Sequence, residues 1–163
     1  MRIGVISDTH GHLPNSRAAA QVLEEHQVDA VLHCGDIGST DVVPIFDRWP
    51  THFVFGNVDY AESELTDAIE VAGQTCHGRF GDLELGGCRI ALIHSDDAQL
   101  FRETIAGGAY ALVCYGHTHV AEMHREGGTL VLNPGALYRA KTHTLAIVEL
   151  PGLEVTSVEL DRG

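Results

Sequence analysis

Residues 3–11 read IGVISDTHG, an apolar run from Ile3 to Ile6 followed by Asp8 and, two positions on, His10. A short apolar run bounded by polar turn residues suits a strand buried on both faces. The next such run is Ala30 to Cys34, and the segment Asn15 to Gln27 lies between them. In that segment Ala18, Ala19, Val22 and Leu23 recur at helical spacing, with Glu24 and Glu25 on the other side. Asn15 or Ser16 supplies a capping side chain for the helix. Strand, helix, strand over about 30 residues predicts a parallel βαβ unit.

Working outward, Phe53 to Phe55, Ile90 to His94 and Ala111 to Tyr115 read as further buried strands. A short helix is expected over Asp41 to Trp49, with Pro44 confined near its first turn, and a third helix over Ala98 to Ala106. In the second half Gly86-Gly87, Gly127-Gly128 and Pro151-Gly152 each separate two strand-like runs, the last pair being Thr144 to Leu150 and Glu154 to Leu160. These are hairpin signals, and the final strand is expected at a sheet edge. The prediction is one α/β domain over residues 1–163. A parallel first half meets an antiparallel second half in two facing mixed β-sheets flanked by helices.

Composition narrows the function. Of 163 residues 44% are hydrophobic and 20% charged, which fits a packed core and not a disordered chain. Ten Lys and Arg against 23 Asp and Glu leave a net charge of −13, which disfavours long nucleic acids and anionic membranes. No run approaches a membrane span, and Ile3 to Ile6 is too short for a signal-peptide core, so a cytoplasmic protein is expected. The cysteines, Cys34, Cys76, Cys88 and Cys114, lack metal-knuckle spacing and read as reduced thiols. Histidine, at 11 residues, is in excess, and it is the side chain that both titrates near neutrality and binds metal.

The excess has a pattern. Asp8 and His10 follow the first strand, Gly35-Asp36 the second and Gly56-Asn57 the third; His94 closes the fourth and Gly116-His117-Thr118-His119 follows the fifth. Loops leaving the C-terminal ends of parallel strands converge on one crevice. In each D-x-H or H-x-H pair, an extended backbone would put both ligands on one side. Each preceding glycine would let the chain turn sharply. Asp8, His10, Asp36, Asn57, His94, His117 and His119 exceed the four ligands of one zinc, so two divalent metal ions are expected. Imidazole, carboxylate and amide donors without thiolate favour manganese, iron, zinc, nickel or cobalt over calcium.

The ordered set D-x-H, G-D, G-N, H, G-H-x-H, with the opening IGVISDTHG and the late LVLNPG, resembles the calcineurin-like metallophosphoesterase superfamily. Within it, the chain is most similar to the small prokaryotic phosphodiesterase-like branch, which shares its fold with a retromer subunit. The resemblance spans residues 1 to about 150. It implies a four-layer αββα sandwich and a dinuclear centre, manganese first among the metals. Asp8, His10, Asp36 and His119 would hold one ion, and Asp36, Asn57, His94 and His117 the other. A small phosphodiester would be hydrolysed by hydroxide activated between the ions and held through Asp8, Asp36 and Asn57. The fold also serves a noncatalytic interaction scaffold, and the superfamily includes nucleases and phosphomonoesterases. The full ligand set disfavours the first, and the short acidic chain disfavours a nuclease. An oligomer is compatible with all of these.

Three departures from the superfamily pattern bear on substrate. Val58 stands where phosphatases of the superfamily carry a proton-donating histidine, which favours diesters over monoesters. Asp96 stands two after His94 where the branch has an imidazole. Ala136 replaces a serine in Asn133-Pro134-Gly135-Ala136. Candidate substrate contacts are His12, Asp59, Asp96, Arg139 and Lys141; Asp59 could instead shape a turn. His33 is expected to be a hydrogen-bonded core residue.

Overall fold

The structure, a computed structural model, describes residues 1–160. In chain order it comprises β1 (Arg2–Ile6), α1 (Leu13–Glu25), β2 (Ala30–His33), a 3-10 helix (Thr40–Phe46), β3 (Thr51–Phe53), α2 (Glu62–Val71) and β4 (Thr75–Cys76). There follow β5 (Phe80–Leu85), β6 (Cys88–Ile93), α3 (Ala98–Ala106), β7 (Leu112–Cys114), β8 (Glu122–Glu126), β9 (Thr129–Asn133), β10 (Thr144–Glu149) and β11 (Glu154–Glu159).

Alternation along β1 explains the layering. Ile3 and Val5 point between the sheets, against Leu92, Leu112 and Leu132, while Gly4 and Ile6 face the helices. Gly4 leaves room for Leu23 of α1, whose methyl group would collide with a Cβ. One sheet runs β11-β10-β1-β2-β3-β4 and the other β5-β6-β7-β9-β8. α1, the 3-10 helix and α2 cover the first sheet through Leu23, Phe46, Leu65 and Ile69. α3 covers the second, with Ile105 near Ile93, Val113 and Val131. The layers are helix, sheet, sheet, helix, each aliphatic side chain between them contributing about 1.5–3 kcal/mol.

Several details differ from the sequence expectations. The second half is not antiparallel throughout: β10 and β11 join the first sheet antiparallel, but in the second sheet β6, β7 and β9 pair in parallel and only the outer strands β5 and β8 run antiparallel to their neighbours. The crossover through α3 returns the chain to the start of the sheet before β7, and β8 returns it before β9, which imposes the parallel pairing. α1 begins earlier than expected and is capped by His12, whose Nδ1 accepts the Asn15 N–H at 3.3 Å, with Pro14 in the first turn. Asn15 instead donates to the Leu137 carbonyl at 2.6 Å, tying the helix to the loop after β9. The segment around Pro44 is a 3-10 helix, since proline has no N–H for a regular helical bond. α2 was not expected from the sequence, because only Leu65 and Ile69 of its ten residues are buried and acidic side chains mask the period. α3, the three hairpins and the edge position of β11 are as expected.

Candidate metal centre

The loops after β1, β2 and β3 of one sheet and after β6 and β7 of the other meet at one end of the sandwich. Asp8 and Asp36 are buried there, and His94 is wholly enclosed. Asp8, His10, Asp36 and His119 bring one donor atom each within 4.8 Å of one another. Beside them a second set closes on Asn57, whose Oδ1 lies 3.1 Å from His94 Nε2 and 3.0 Å from His117 Nδ1. Asp36 stands between the sets, its Oδ1 3.3 Å from His94 Nε2 and its Oδ2 3.7 Å from His10 Nε2.

The backbone that achieves this is not extended. Asp8, His10, Asp36, His117 and His119 have φ of 56°, 45°, 55°, 73° and 60°, in the left-handed region that non-glycine residues rarely enter. The two x-spaced pairs therefore converge by tight local curvature, not by the two-residue repeat of a strand. Such conformations cost of order 1–3 kcal/mol each and persist only where the surroundings impose them. Here the surroundings are hydrogen bonds between loops. The N–H groups of Asp8 and His10 donate to the carbonyls of Gly35 and Asp36 at 3.0 and 2.9 Å.

The motif glycines have different roles from one another. Gly35 has φ +100°. Gly56 and Gly116 have no such torsion but are approached by acids from other loops: a Cβ on Gly56 would lie 2.5 Å from the Asp36 nitrogen, and one on Gly116 2.8 Å from Asp8 Oδ2. Close approach of ligand to backbone, and not turning, excludes side chains at those two positions.

Ring tautomers are set from outside the cluster. His119 Nδ1 lies 3.1 Å from the Arg139 carbonyl and His94 Nδ1 2.8 Å from that of Cys34. A carbonyl only accepts, so each Nδ1 carries the proton and each Nε2 faces the cluster. The Nε2 of His119 is 3.0 Å from Asp8 Oδ1. That oxygen is the one buried side-chain polar atom among the described residues with no hydrogen-bond partner. Two lone pairs face each other unless a proton or a cation lies between them, which is the condition a metal satisfies. The other oxygen of Asp8 accepts from Ser7 Oγ at 2.5 Å and from the His117 N–H at 3.2 Å.

Ionisation follows the same geometry. Burial pushes His10 down, with the neighbouring Arg139 and His119 charges adding to it against Asp36 and Asp8, which favours a neutral ring. Burial alone would raise Asp36, but His94, the Val58 N–H and His10 hold its carboxyl below the ordinary range. Burial would lower His94, yet the Asp36 and Asp8 carboxylates and the Cys34 carbonyl raise it. A proton and a metal therefore compete for the His94 lone pair.

The expected substrate contacts separate. Arg139 lies close enough to press on His10, and with Lys141, Thr118 and His119 it lines a cleft of 460 Å³. His12 is turned to capping α1 and stacks on Tyr138, ring centroids 4.1 Å apart. Asp96 pairs with Arg79 at 3.5 Å, and Arg79 also binds Glu62 at 2.7 Å. Asp59 takes the turn-shaping alternative. It is 2% exposed, and its two oxygens accept the N–H groups of Gly38, Gly56 and Ile37 at 2.8, 2.9 and 3.1 Å. With both oxygens so engaged it braces the Asp36 and Asn57 loops.

Two supporting residues escaped sequence reasoning. Asn133 donates to the Gly116 carbonyl and Thr118 Oγ1 at 3.1 and 3.0 Å, fixing the loop of His117 and His119. Thr9 joins His33 Nε2 at 3.0 Å and the Ile37 carbonyl at 3.0 Å, locking the Asp8 loop to that of Asp36. His33 is buried, as expected, and burial lowers its pKa to about 3, so it is neutral. Only the positions of Thr9 and Asn133 inside the motifs signalled these roles.

An αββα sandwich with this donor cluster defines a metallophosphoesterase. Residues 1–152 match the model of the calcineurin-like phosphoesterase superfamily domain, and the chain belongs to that family, hydrolases of phosphoester bonds that depend on metal. It is 29% identical to phosphodiesterase MJ0936 of Methanocaldococcus jannaschii over 99% of this chain and 100% of that one. It is 28% identical to the probable metallophosphoesterase YsnB of Bacillus subtilis over 84% of this chain and 75% of that one. A solved archaeal phosphodiesterase superposes with TM-score 0.91 at 29% identity, covering 98% of this chain and 100% of its own. Vps29 of Entamoeba histolytica, solved with zinc, shares the fold at TM-score 0.61 and 17% identity, covering 99% and 100% of the two chains. Among the described residues, no helix is long and apolar enough to cross a membrane.

Proposed function

We propose that the chain is a dinuclear, manganese-preferring phosphodiesterase acting on small phosphodiesters. The observation that carries the dinuclear reading is Asp36, whose two oxygens face separate donor sets, His10 on one side and His94 on the other. Asp8, His10 and His119 would complete one ion's shell, and Asn57, His94 and His117 the other's. When bound there, a pair of divalent ions supplies Lewis acidity and an activated water for in-line displacement at phosphorus.

The chain's own residues then do four things. The carbonyls of Arg139 and Cys34 orient the rings of His119 and His94 so that Nε2 is offered inward. Asp59, Thr9 and Asn133 hold the loops at fixed spacing, so little reorganisation is needed during reaction. Arg139 places a positive charge near His10, available to offset charge on phosphoryl oxygens. Val58, next to Asn57, has no proton to give, and its own N–H is committed to Asp36 Oδ1 at 3.1 Å. The leaving group must depart largely unprotonated, which suits a diester with an acidic alcohol better than an alkyl monoester.

The test is bound-metal analysis followed by turnover of bis(p-nitrophenyl) phosphate and p-nitrophenyl phosphate in manganese, with Asp36→Ala and Asn57→Ala as controls. The proposal expects the diester to be the better substrate and both variants to lose activity. It fails if metal-replete protein cleaves neither ester, or cleaves the monoester much faster.

A further inference from the structure

Next to the donor cluster the surface opens into a pocket of 350 Å³, built by the segments that follow Asp36 and Asn57 and by the first turn of α2. Val58 connects the two. Its N–H binds Asp36, while its side chain lines the pocket wall. The remaining lining is Ser39, Thr40, Ala61, Leu65 and Glu64, with Tyr60 on the rim, 87% exposed. This pocket contains no cation; its charged side chains are the carboxylates of Glu64 and the inward-turned Asp59. The separate cleft lined by His119 carries Arg139 and Lys141. Cations thus line the cleft at His119, and carboxylates the pocket at Val58.

We propose that the Val58–Tyr60 pocket receives the uncharged, flat substituent of the substrate, of nucleobase or nucleoside type, with the Tyr60 ring stacked on it. This deepens the phosphodiesterase reading and rests on it. Three features select that class. The volume is at the small end of ligand pockets, suited to a nucleoside and not to an acyl chain or a peptide. The carboxylate of Glu64 excludes a second phosphate, so the charged part of the ligand must lie over the cluster and toward Arg139. The N-terminus of α2 has no capping side chain at Ala61, leaving backbone N–H donors for the ring nitrogens or hydroxyls of a neutral ligand. The Tyr60 ring, 87% exposed, offers an aromatic face on which a flat ring can stack.

The probe is adenosine, which has no phosphate and no need of metal. It is titrated into metal-free protein by NMR, following the amides of Val58, Ala61 and Leu65, and tested as an inhibitor of bis(p-nitrophenyl) phosphate hydrolysis by manganese-loaded protein. Stacking of a base on an aromatic residue is worth about 1–3 kcal/mol, so Tyr60→Ala should weaken adenosine at least about fivefold and Tyr60→Phe should not. Because Tyr60 is at the surface, thermal unfolding of Tyr60→Ala should match the parent. If adenosine shifts none of those amides, or binds Tyr60→Ala as well as the parent, the pocket assignment is overturned even when the diester is turned over. If adenosine binds with the Tyr60 dependence but no ester is hydrolysed, the phosphodiesterase reading fails and the pocket stands.

Discussion

Asp8→Asn is the sharpest test of the metal centre, because its effect on stability should change sign with metal. In the parent, Asp8 Oδ1 is buried without a hydrogen bond, 3.0 Å from an Nε2 of His119 whose proton is on the other nitrogen. An unsatisfied buried polar group costs about 1–3 kcal/mol. The amide of Asp8→Asn keeps an oxygen for Ser7 Oγ and the His117 N–H, and its NH2 donates to that His119 nitrogen. In chelator the variant should therefore equal the parent or exceed it by about 1–3 kcal/mol. With manganese at about 100 times its dissociation constant the parent gains about 2.7 kcal/mol. The variant, with a neutral amide in place of a carboxylate donor, should gain little, and the order reverses. Urea unfolding followed by fluorescence of the single, buried Trp49 measures both conditions. The reasoning is refuted if Asp8→Asn is more than about 1 kcal/mol less stable than the parent in chelator, or if manganese stabilises both proteins equally.

Asp59→Ala should destabilise the fold by about 2–5 kcal/mol, since three buried N–H groups lose their acceptor; an intact urea midpoint with abolished turnover would instead make Asp59 a substrate contact. Gly116→Ala drives a methyl group into Ser7 and Asp8, so manganese affinity by calorimetry should fall at least about tenfold, with an overpacking cost of about 1–3 kcal/mol. Acid should weaken the protein through His33: its folded pKa of about 3 lies below the unfolded value near 6.5, so the unfolded chain binds the extra proton and stability falls as pH drops. That histidine accounts for about 1.6 kcal/mol between pH 6.5 and pH 5, and the pH dependence of the urea midpoint in His33→Phe should lack it. His52 and His77, joined at 2.9 Å and both lowered by burial, act in the same direction, so an acid slope should persist in His33→Phe at reduced size.

Much of this protein is written in local sequence. The buried runs Ile3 to Ile6 and Ala30 to Cys34, the diglycine hairpins and the order of the acid, amide and histidine motifs are short-range patterns. They specify strands, turns and ligand types wherever the chain places them. What they could not specify is everything that depends on one loop meeting another. A fully apolar strand has no preferred partner direction, so the parallel pairing of β6, β7 and β9 emerges only from the crossovers through α3 and β8. Asp59 reads alike as substrate contact or brace until the N–H groups of Ile37 and Gly38, more than twenty positions away, are seen to turn onto it. Gly56 and Gly116 look like hinges, yet they are required because Asp36 and Asp8 arrive from elsewhere in the chain. The left-handed torsions at five of the seven expected ligands are likewise held from outside, since the local tolerance of Asp and His for that region does not by itself offset its cost. The sequence by itself determined which atoms are available to hold metal. Only the tertiary structure decided that they converge, because convergence is enforced by hydrogen bonds and close contacts between residues far apart in the chain.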